Sequence, residues 1–366
     1  MDLDLTEEQE MLRGTVRRMC ESLFDPQTVR RLEHEDDKFD RAFWDELGAG
    51  GICALRIDPD HGGAGMGALD LALVFEEFGR ALASSPFLSS CVLSASLLSR
   101  IGSESAKREW LPGMARGEVV AIPAWQENDL IGDAPATAID PVRGVVNGEK
   151  LLVPFASVAD IFLVHGAGPD GDAWALVPAD APGISIVAQS NHASQPLFAV
   201  RFDDVRIGAA AIFAATEVPD PGSEAFGDVL IAVAAEAVGA ADRLLALTVD
   251  YANQRKQFGR PIANFQAVSH PLADCATELE GIRYLAYQAA WAKDGNMPWR
   301  HLAQMAKLQA ATLLRRLATV SVQIHGGIGY SIDGDPQLFY RRAKHHELMY
   351  GTADDLKARI SDHIFA

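Results

Sequence analysis

The sequence predicts a multidomain α and β protein. A helical N-terminal domain covers residues 1–118, a middle antiparallel β-domain covers 119–218, and a C-terminal antiparallel four-helix bundle covers 222–366. Three observations predict it. Apolar residues recur at helical spacing through the first third and again from about residue 224 onward. Between these stretches, short apolar segments alternate with Gly, Pro, Asp and Asn at the spacing of a small barrel or sandwich. The chain has 366 residues, 48% hydrophobic and 22% charged, enough for two or three domains with full cores at roughly 100–200 residues each.

The elements follow in order. Thr6-Glu-Glu-Gln9 is a capping box, and the helix it opens carries Met11, Leu12, Val16 and Met19 on its apolar face. Asp40 caps a second helix through Phe43, Trp44 and Leu47. Residues 69–82 and 88–101 repeat the helical period. Strand-like segments lie at 119–125, 142–146, 161–164, 173–177, 184–188 and 199–202. The stretch 216–222 (Thr-Glu-Val-Pro-Asp-Pro-Gly) reads as a hinge. Helical periodicity returns over 225–257, 264–294, 299–325 and 352–364, and long helices with short connections predict the bundle.

Fifty acidic residues against 32 Lys and Arg give a formal net charge of −18. A uniformly acidic surface repels phosphate backbones and anionic lipids, which argues against nucleic-acid and membrane partners. An anionic substrate would need local Arg or Lys. The opening MDLDLTEEQE has neither the basic nor the apolar stretch of a signal peptide. The longest apolar run, 229–241, is interrupted by Glu236 and falls short of the roughly 18 residues a membrane span needs. Cys20, Cys53, Cys91 and Cys275 are scattered, with no CxxC, as in a reducing compartment. A cytoplasmic location is therefore expected.

Gly63-Ala-Gly65-Met-Gly67-Ala68 matches the loose dinucleotide pattern. A Rossmann site needs a strand running directly into that turn, and here Pro59, Asp60 and His61 intervene, so a loop between helices is expected. The C-terminal zone is richer. Tyr251-Ala-Asn-Gln-Arg255-Lys-Gln-Phe258-Gly259-Arg-Pro-Ile262, followed by Phe265-Gln266, leaves one long helix and enters the next. A guanidinium there can grip a pyrophosphate, an aromatic ring can cover an apolar flank, and an amide can orient a polar group. A basic helix terminus favoured by the macrodipole would look the same. Gln323-Ile-His325-Gly326-Gly327-Ile-Gly329-Tyr330 ends another helix with glycines that admit a close neighbour or serve as an ordinary C-cap. Arg341-Arg342-Ala-Lys344 and Tyr350-Gly351-Thr352-Ala-Asp-Asp355 follow, the latter also a capping box. His345-His346-Glu347 is a poor metal site, because adjacent helical histidines point about 100° apart.

These motifs, in this order, resemble the acyl-CoA dehydrogenase family over essentially the whole chain. The matching features are RxxFGxxIxxFQ, QxxGGxGY, RxAK and a GT opening the last helix. Thr6-Glu-Glu-Gln9, Gly62-Gly63-Ala-Gly65 and Phe202-Asp-Asp-Val-Arg206 fit as well. The resemblance implies a helical N-terminal domain, a middle β-domain, a C-terminal four-helix bundle, bound FAD, and oxidation of acyl-CoA thioesters to 2,3-enoyl-CoA. It also implies that Arg255, Phe258, Gln266, Gln323, Gly326 and Gly327 reach the ADP half of the FAD held by a neighbouring subunit.

The departures fall elsewhere. Taking a proton α to a thioester requires a carboxylate base in a dry site. Where relatives carry that Glu before the last helix, this chain has Tyr350, a phenol with an ordinary pKa near 10. The family's other location, early in the first long C-terminal helix, falls at Val229 beside Asp228. The flavin-side loop reads Gln126-Glu-Asn-Asp-Leu-Ile-Gly-Asp133 without the usual Gly-Ser pair, and the strand Leu152-Val-Pro-Phe-Ala156 lacks the usual Trp and Thr. The expectation is a subunit with no catalytic residue of its own. It would donate the ADP-side half of a FAD site to a second acyl-CoA dehydrogenase-like subunit that carries the base. In this it resembles the shorter subunit of the heteromeric α2β2 enzymes of bacterial steroid side-chain breakdown. Two other readings stay open: a self-sufficient homo-oligomer with a relocated base (Asp228, Glu236 or Glu347), and a relative of the fold with no dehydrogenase role.

Overall fold

The computed structural model describes residues 4–127, 135–217, 219–220 and 223–365. The helices are α1 (Glu7–Leu23), α2 (Pro26–Leu32), α3 (Arg41–Ala49), α4 (Ala68–Ala81), α5 (Ala95–Ile101), α6 (Glu104–Ala115), α7 (Glu224–Gln254), α8 (Gln266–Asp294), α9 (Arg300–His325), α10 (Gly327–Tyr330), α11 (Pro336–Leu348) and α12 (Ala353–Phe365). The strands are β1 (Ala121–Ala124), β2 (Ala138–Asp140), β3 (Val145–Pro154), β4 (Ile161–Gly168), β5 (Gly171–Pro178), β6 (Ile184–Ala188), β7 (Leu197–Arg206), β8 (Ile212–Ala214), β9 (Lys256–Gln257) and β10 (Arg260–Pro261). This is the expected succession of helical, sheet and helical zones. By packing, the chain forms two compact units. One holds the residues up to Arg30, Gly67–Ala83 and those from Leu230 onward; the other holds Arg31–Met66 and Ser84–Val229.

In the first unit the predicted capping box opens α1. The Thr6 hydroxyl accepts from the Gln9 amide at 3.2 Å, and the Gln9 side chain accepts from the Thr6 amide at 3.1 Å. Helices α4 and α7 cross where both are glycine. A Cβ at Gly79 would collide with the Glu236 carbonyl, and one at Gly239 with the Glu76 carbonyl. Removing both side chains lets the helices approach this closely. Ion pairs flank the crossing. Arg283 bonds Glu76 at 3.1 Å and Asp242 at 3.0 Å, the Tyr287 hydroxyl donates to Glu76 at 2.5 Å, and Arg17 pairs with Glu77 at 2.6 Å. Asp294, the last residue of α8, accepts from the amides of Ala68 (2.6 Å) and Leu69 (3.0 Å). It thereby caps the N-terminus of α4 from a distant part of the chain.

In the second unit Asp40 caps α3 through the Phe43 amide at 2.9 Å. Phe43, Trp44 and Leu47 are wholly buried, and Trp44 Nε1 donates to the Gly117 carbonyl at 2.8 Å. The helix expected over 88–101 is present, but Leu88–Ser94 is wound more widely, with the Val92 amide reaching the Phe87 carbonyl at 3.2 Å. The sheet order is β6-β7-β3-β2-β4-β5-β8, with β1 also beside β4. Most pairs are antiparallel as expected, but β1–β4 and β2–β4 are parallel, so the sheet is mixed. Strands β2 and β8 have three residues each, too few to show a period of two. The 63–67 segment is a loop that runs into α4: a single turn over Pro59–His61 precedes it, Gly62 and Gly65 take φ of 81° and 60°, and no strand enters. Residues 218, 221 and 222 of the expected hinge lie outside the described residues. Among the described residues, no helix is long and apolar enough to cross a membrane.

Candidate functional site

The RxxFG segment is a tight reversal. The Arg255 amide donates to Tyr251 O at 2.8 Å, the last bond of the α7 ladder. The chain then turns through β9 and β10, which pair antiparallel, with Phe258 (φ 52°) and Gly259 (φ 79°) at the tip. Two successive left-handed residues are what a two-residue hairpin requires. The Ile262 amide closes the turn on Arg255 O at 2.8 Å. Phe258 is 92% exposed and forms an edge-on pair with Phe265, 6.0 Å between ring centres, while Arg260 lies over the Phe265 ring at 4.2 Å. A phenylalanine is a costly choice for a left-handed tip. Gln266 opens α8 and is exposed.

The second predicted segment lies at the end of α9. Gly326 takes φ 62° and ψ −137° and stops the helix after His325. A Cβ at Gly326 or Gly327 would meet nothing within 4 Å, so the space beside this backbone is open. Ile328, Tyr330 and Ile332 are exposed just beyond it. The side chains of Arg255, Gln266 and Gln323 make no hydrogen bond or ion pair among the described residues. The two segments are brought together at the C-terminal ends of α7 and α9, where the Tyr251 and His325 rings stack with centres 4.2 Å apart and planes 25° apart. An unpaired guanidinium, an exposed ring, two unused amides and open glycine backbone form a donor set that fits the ADP half of FAD. These groups lie on an exposed face.

The base position lies elsewhere in the same unit. Tyr350 (φ 58°) sits between α11 and α12. Burial and the neighbouring Glu236 charge push its phenol above the usual range, so it is no base at neutral pH. The predicted capping box follows, with Asp355 accepting from the Thr352 amide at 3.0 Å and hydroxyl at 2.6 Å. Lys307, 1% exposed, donates to the Gly351 carbonyl and, at 3.4 Å, to the Glu347 carbonyl; burial lowers its pKa to about 8.

The three candidate carboxylates differ. Asp228 is held by Arg56 at 2.8 Å in the second unit. Glu347 pairs with Lys344 at 2.9 Å and Arg315 at 3.4 Å. Glu236 is enclosed, with Arg342 at 3.5 Å and His346 Nε2 at 3.8 Å. Burial raises it to about 7, and Arg342 pulls the other way. His346 is kept neutral by burial and by His345 and Arg342.

On the flavin side, in the second unit, Lys150 is wholly buried and pairs with Glu127, which also accepts from the Thr137 amide at 2.9 Å. Burial works against the Glu127 charge, but Lys150 and Thr137 hold it down to about 2. Residues 128–133 of the flavin-side loop lie outside the described residues. Over 152–156 the chain bends through Leu152 and Phe155 (φ 53° and 51°). Val153 and Phe155 are buried, and no polar side chain is offered.

Sequence reasoning quoted Tyr251, His325 and Arg342 inside motifs without giving them a role, and passed over Lys307. The available signal was a lysine on the apolar face of α9.

The family profile described as "Acyl-CoA dehydrogenase, N-terminal domain" matches residues 6–118, and that for the "Acyl-CoA dehydrogenase, C-terminal domain" matches 224–365. The probable acyl-CoA dehydrogenase YngJ of Bacillus subtilis is 32% identical, covering 97% of each chain. Among solved structures, the ChsE4-ChsE5 complex from Mycobacterium tuberculosis superposes with a TM-score of 0.89 and 29% identity, over 100% of this chain and 99% of that one. The Tcur3481-Tcur3483 steroid ACAD superposes with a TM-score of 0.87 and 29% identity, over 98% of each. With its fold, both terminal domains and full-length relatives in agreement, the chain belongs to the acyl-CoA dehydrogenase family of FAD-dependent oxidoreductases.

Proposed function

We propose that this chain is the base-lacking subunit of a heteromeric acyl-CoA dehydrogenase. It presents Arg255, Phe258, Gln266, Gln323, Gly326 and Gly327 to the ADP half of the FAD in a partner subunit that carries the catalytic carboxylate. The observation that carries this reading is the pairing of a fully presented, unpartnered ADP-type face with a base position occupied by Tyr350, whose phenol is pushed up rather than down. FAD, when bound, accepts the hydride from the β carbon. This chain's residues grip the dinucleotide and leave proton removal to the partner. Two of the similar solved structures are a two-protein complex and a steroid ACAD, which supports a heteromer and an acyl-CoA thioester on a steroid side chain as substrate class. The assembly would be a heterotetramer. The test is flavin-to-protein stoichiometry with and without the co-expressed partner. The expected result is a colourless chain alone and one flavin per two chains in the complex; one flavin per chain in this protein by itself would overturn the reading.

A second reading has one observation in its favour: Glu236, raised to about 7, acts electrostatically on Tyr350 at the base position. On that reading the chain is a self-sufficient homo-oligomer whose base has moved to α7. It requires purified homo-oligomer to desaturate an acyl-CoA, with a loss of at least 100-fold in turnover in Glu236→Gln, the scale of general-base catalysis.

A further inference from the structure

We propose that Tyr251 and His325 are positioning residues that lock the two halves of the ADP-binding face to each other. The inference rests on the reading of that face given above. Arg255 and Phe258 sit on the turn after α7, and Gly326 and Gly327 sit on the loop after α9, so a dinucleotide bridging them needs the two helix ends held in register. The Tyr251 ring stacks on His325 at 4.2 Å, and its hydroxyl donates to the His325 carbonyl at 3.4 Å, the last carbonyl before Gly326. His325 is 8% exposed and its Nδ1 donates to the Ser321 carbonyl at 2.8 Å, which fixes the ring's tilt. One turn earlier the same helices are joined again, with Thr248 and Ser321 hydroxyls 2.7 Å apart and the Thr248 hydroxyl donating to Leu244 O at 2.7 Å.

The two cross-links lie in tandem on the last turns of both helices. Tyr251 is also the acceptor for the Arg255 amide, at 2.8 Å. That bond is made by the main-chain carbonyl and places the ring one helical turn before Arg255, while the hydroxyl holds the carbonyl that precedes Gly326. Neither ring belongs to the exposed ligand set. They act through the residues that follow them, by limiting how far the turn and the loop can move apart before a ligand arrives.

The test uses the flavin-bearing assembly of this chain and its partner, stripped of flavin and titrated with FAD and, separately, with FMN, which lacks the adenylate half. Tyr251→Leu and His325→Leu are each expected to weaken FAD binding about five- to tenfold, the scale of one aromatic pair. Tyr251→Phe, which keeps the ring, should fall within about twofold of the parent, and the double variant should be less than additive. FMN affinity should not move in any of them. Arg255→Ala is the reference. If it releases FAD while Tyr251→Leu and His325→Leu do not, the positioning role is overturned and the face survives. If Arg255→Ala itself retains FAD, it is the reading of the face that fails. Equal losses of FMN and FAD affinity in the leucine variants would mean general damage to the fold, and would also overturn the positioning role.

Discussion

Arg342 on α11 reaches Glu236 on α7 at 3.5 Å and the Leu82 carbonyl at 3.3 Å, so one guanidinium joins three segments inside the helical unit. Glu236 is nonetheless raised, because burial outweighs that single cation. A carboxyl poised near 7 between an arginine, a neutral His346 and the Tyr350 phenol responds to pH as no surface glutamate does.

Its linkage to stability has a definite sign. Glu236 moves from 4.5 to about 7 on folding, so the folded state holds its proton more tightly. The resulting stability is full below about pH 4.5 and drains away as pH rises to about 7. Arg342, His346 and Tyr350 face it and also contribute, so the comparison with Glu236→Gln isolates the carboxyl. The parent should lose melting temperature relative to Glu236→Gln between pH 5 and 8. Parallel pH profiles for the two proteins would refute the buried, raised carboxyl.

Arg342→Gln removes the cation facing Glu236 and weakens the bond to Leu82. A loss of about 1–3 kcal/mol in urea unfolding is expected at pH 8, where Glu236 must otherwise ionise unaided. The loss should shrink at pH 5, where the carboxyl is protonated. An equal loss at both pH values would separate Arg342 from Glu236.

Gly79→Ala and Gly239→Ala place a methyl group against a backbone carbonyl of the facing helix, Glu236 in one case and Glu76 in the other. Neither carbonyl can move without shifting its helix. Each variant should cost about 1–3 kcal/mol or more by overpacking, despite the better helix propensity of alanine. Calorimetry settles it: melting unchanged or raised would show that α4 and α7 do not meet at these residues.

Phe258→Ala should leave folding untouched, since the ring is almost wholly in solvent. Stability should stay within about 0.5 kcal/mol of the parent. FAD retained by the assembly after gel filtration should fall on the order of tenfold, because an aromatic anchor is lost from an interface. Retention of the full flavin content would take Phe258 out of the site.

Much of the candidate site was legible because it is local. Caps at Thr6, Asp40 and Thr352 need three or four consecutive residues, whereas the hairpin tip at Phe258-Gly259 was not legible, because it puts a phenylalanine in the left-handed region. The tyrosine at position 350, where the resemblance leads one to expect a glutamate, is a matter of residue identity at one position. What stayed hidden was distant in the chain or indifferent to side-chain pattern. Glu236 and Arg342 are 106 residues apart, and Tyr251 and His325 are 74 apart. The parallel placement of β1 and β2 beside β4 leaves no mark in strands of three or four residues.

Residue order alone set the succession of helical and sheet zones, the caps that start the helices, and the identity of the groups proposed to hold the dinucleotide and of the candidate carboxylates. These depend on periodicity and on interactions within one turn. Packing alone decided that Glu236 is enclosed and raised, that Asp228 is paired with Arg56 and Glu347 with Arg315, and that the ends of α7 and α9 meet through Tyr251 and His325. Desolvation and charge pairing are properties of what surrounds a side chain, and those surroundings come from segments brought together only when the chain has folded.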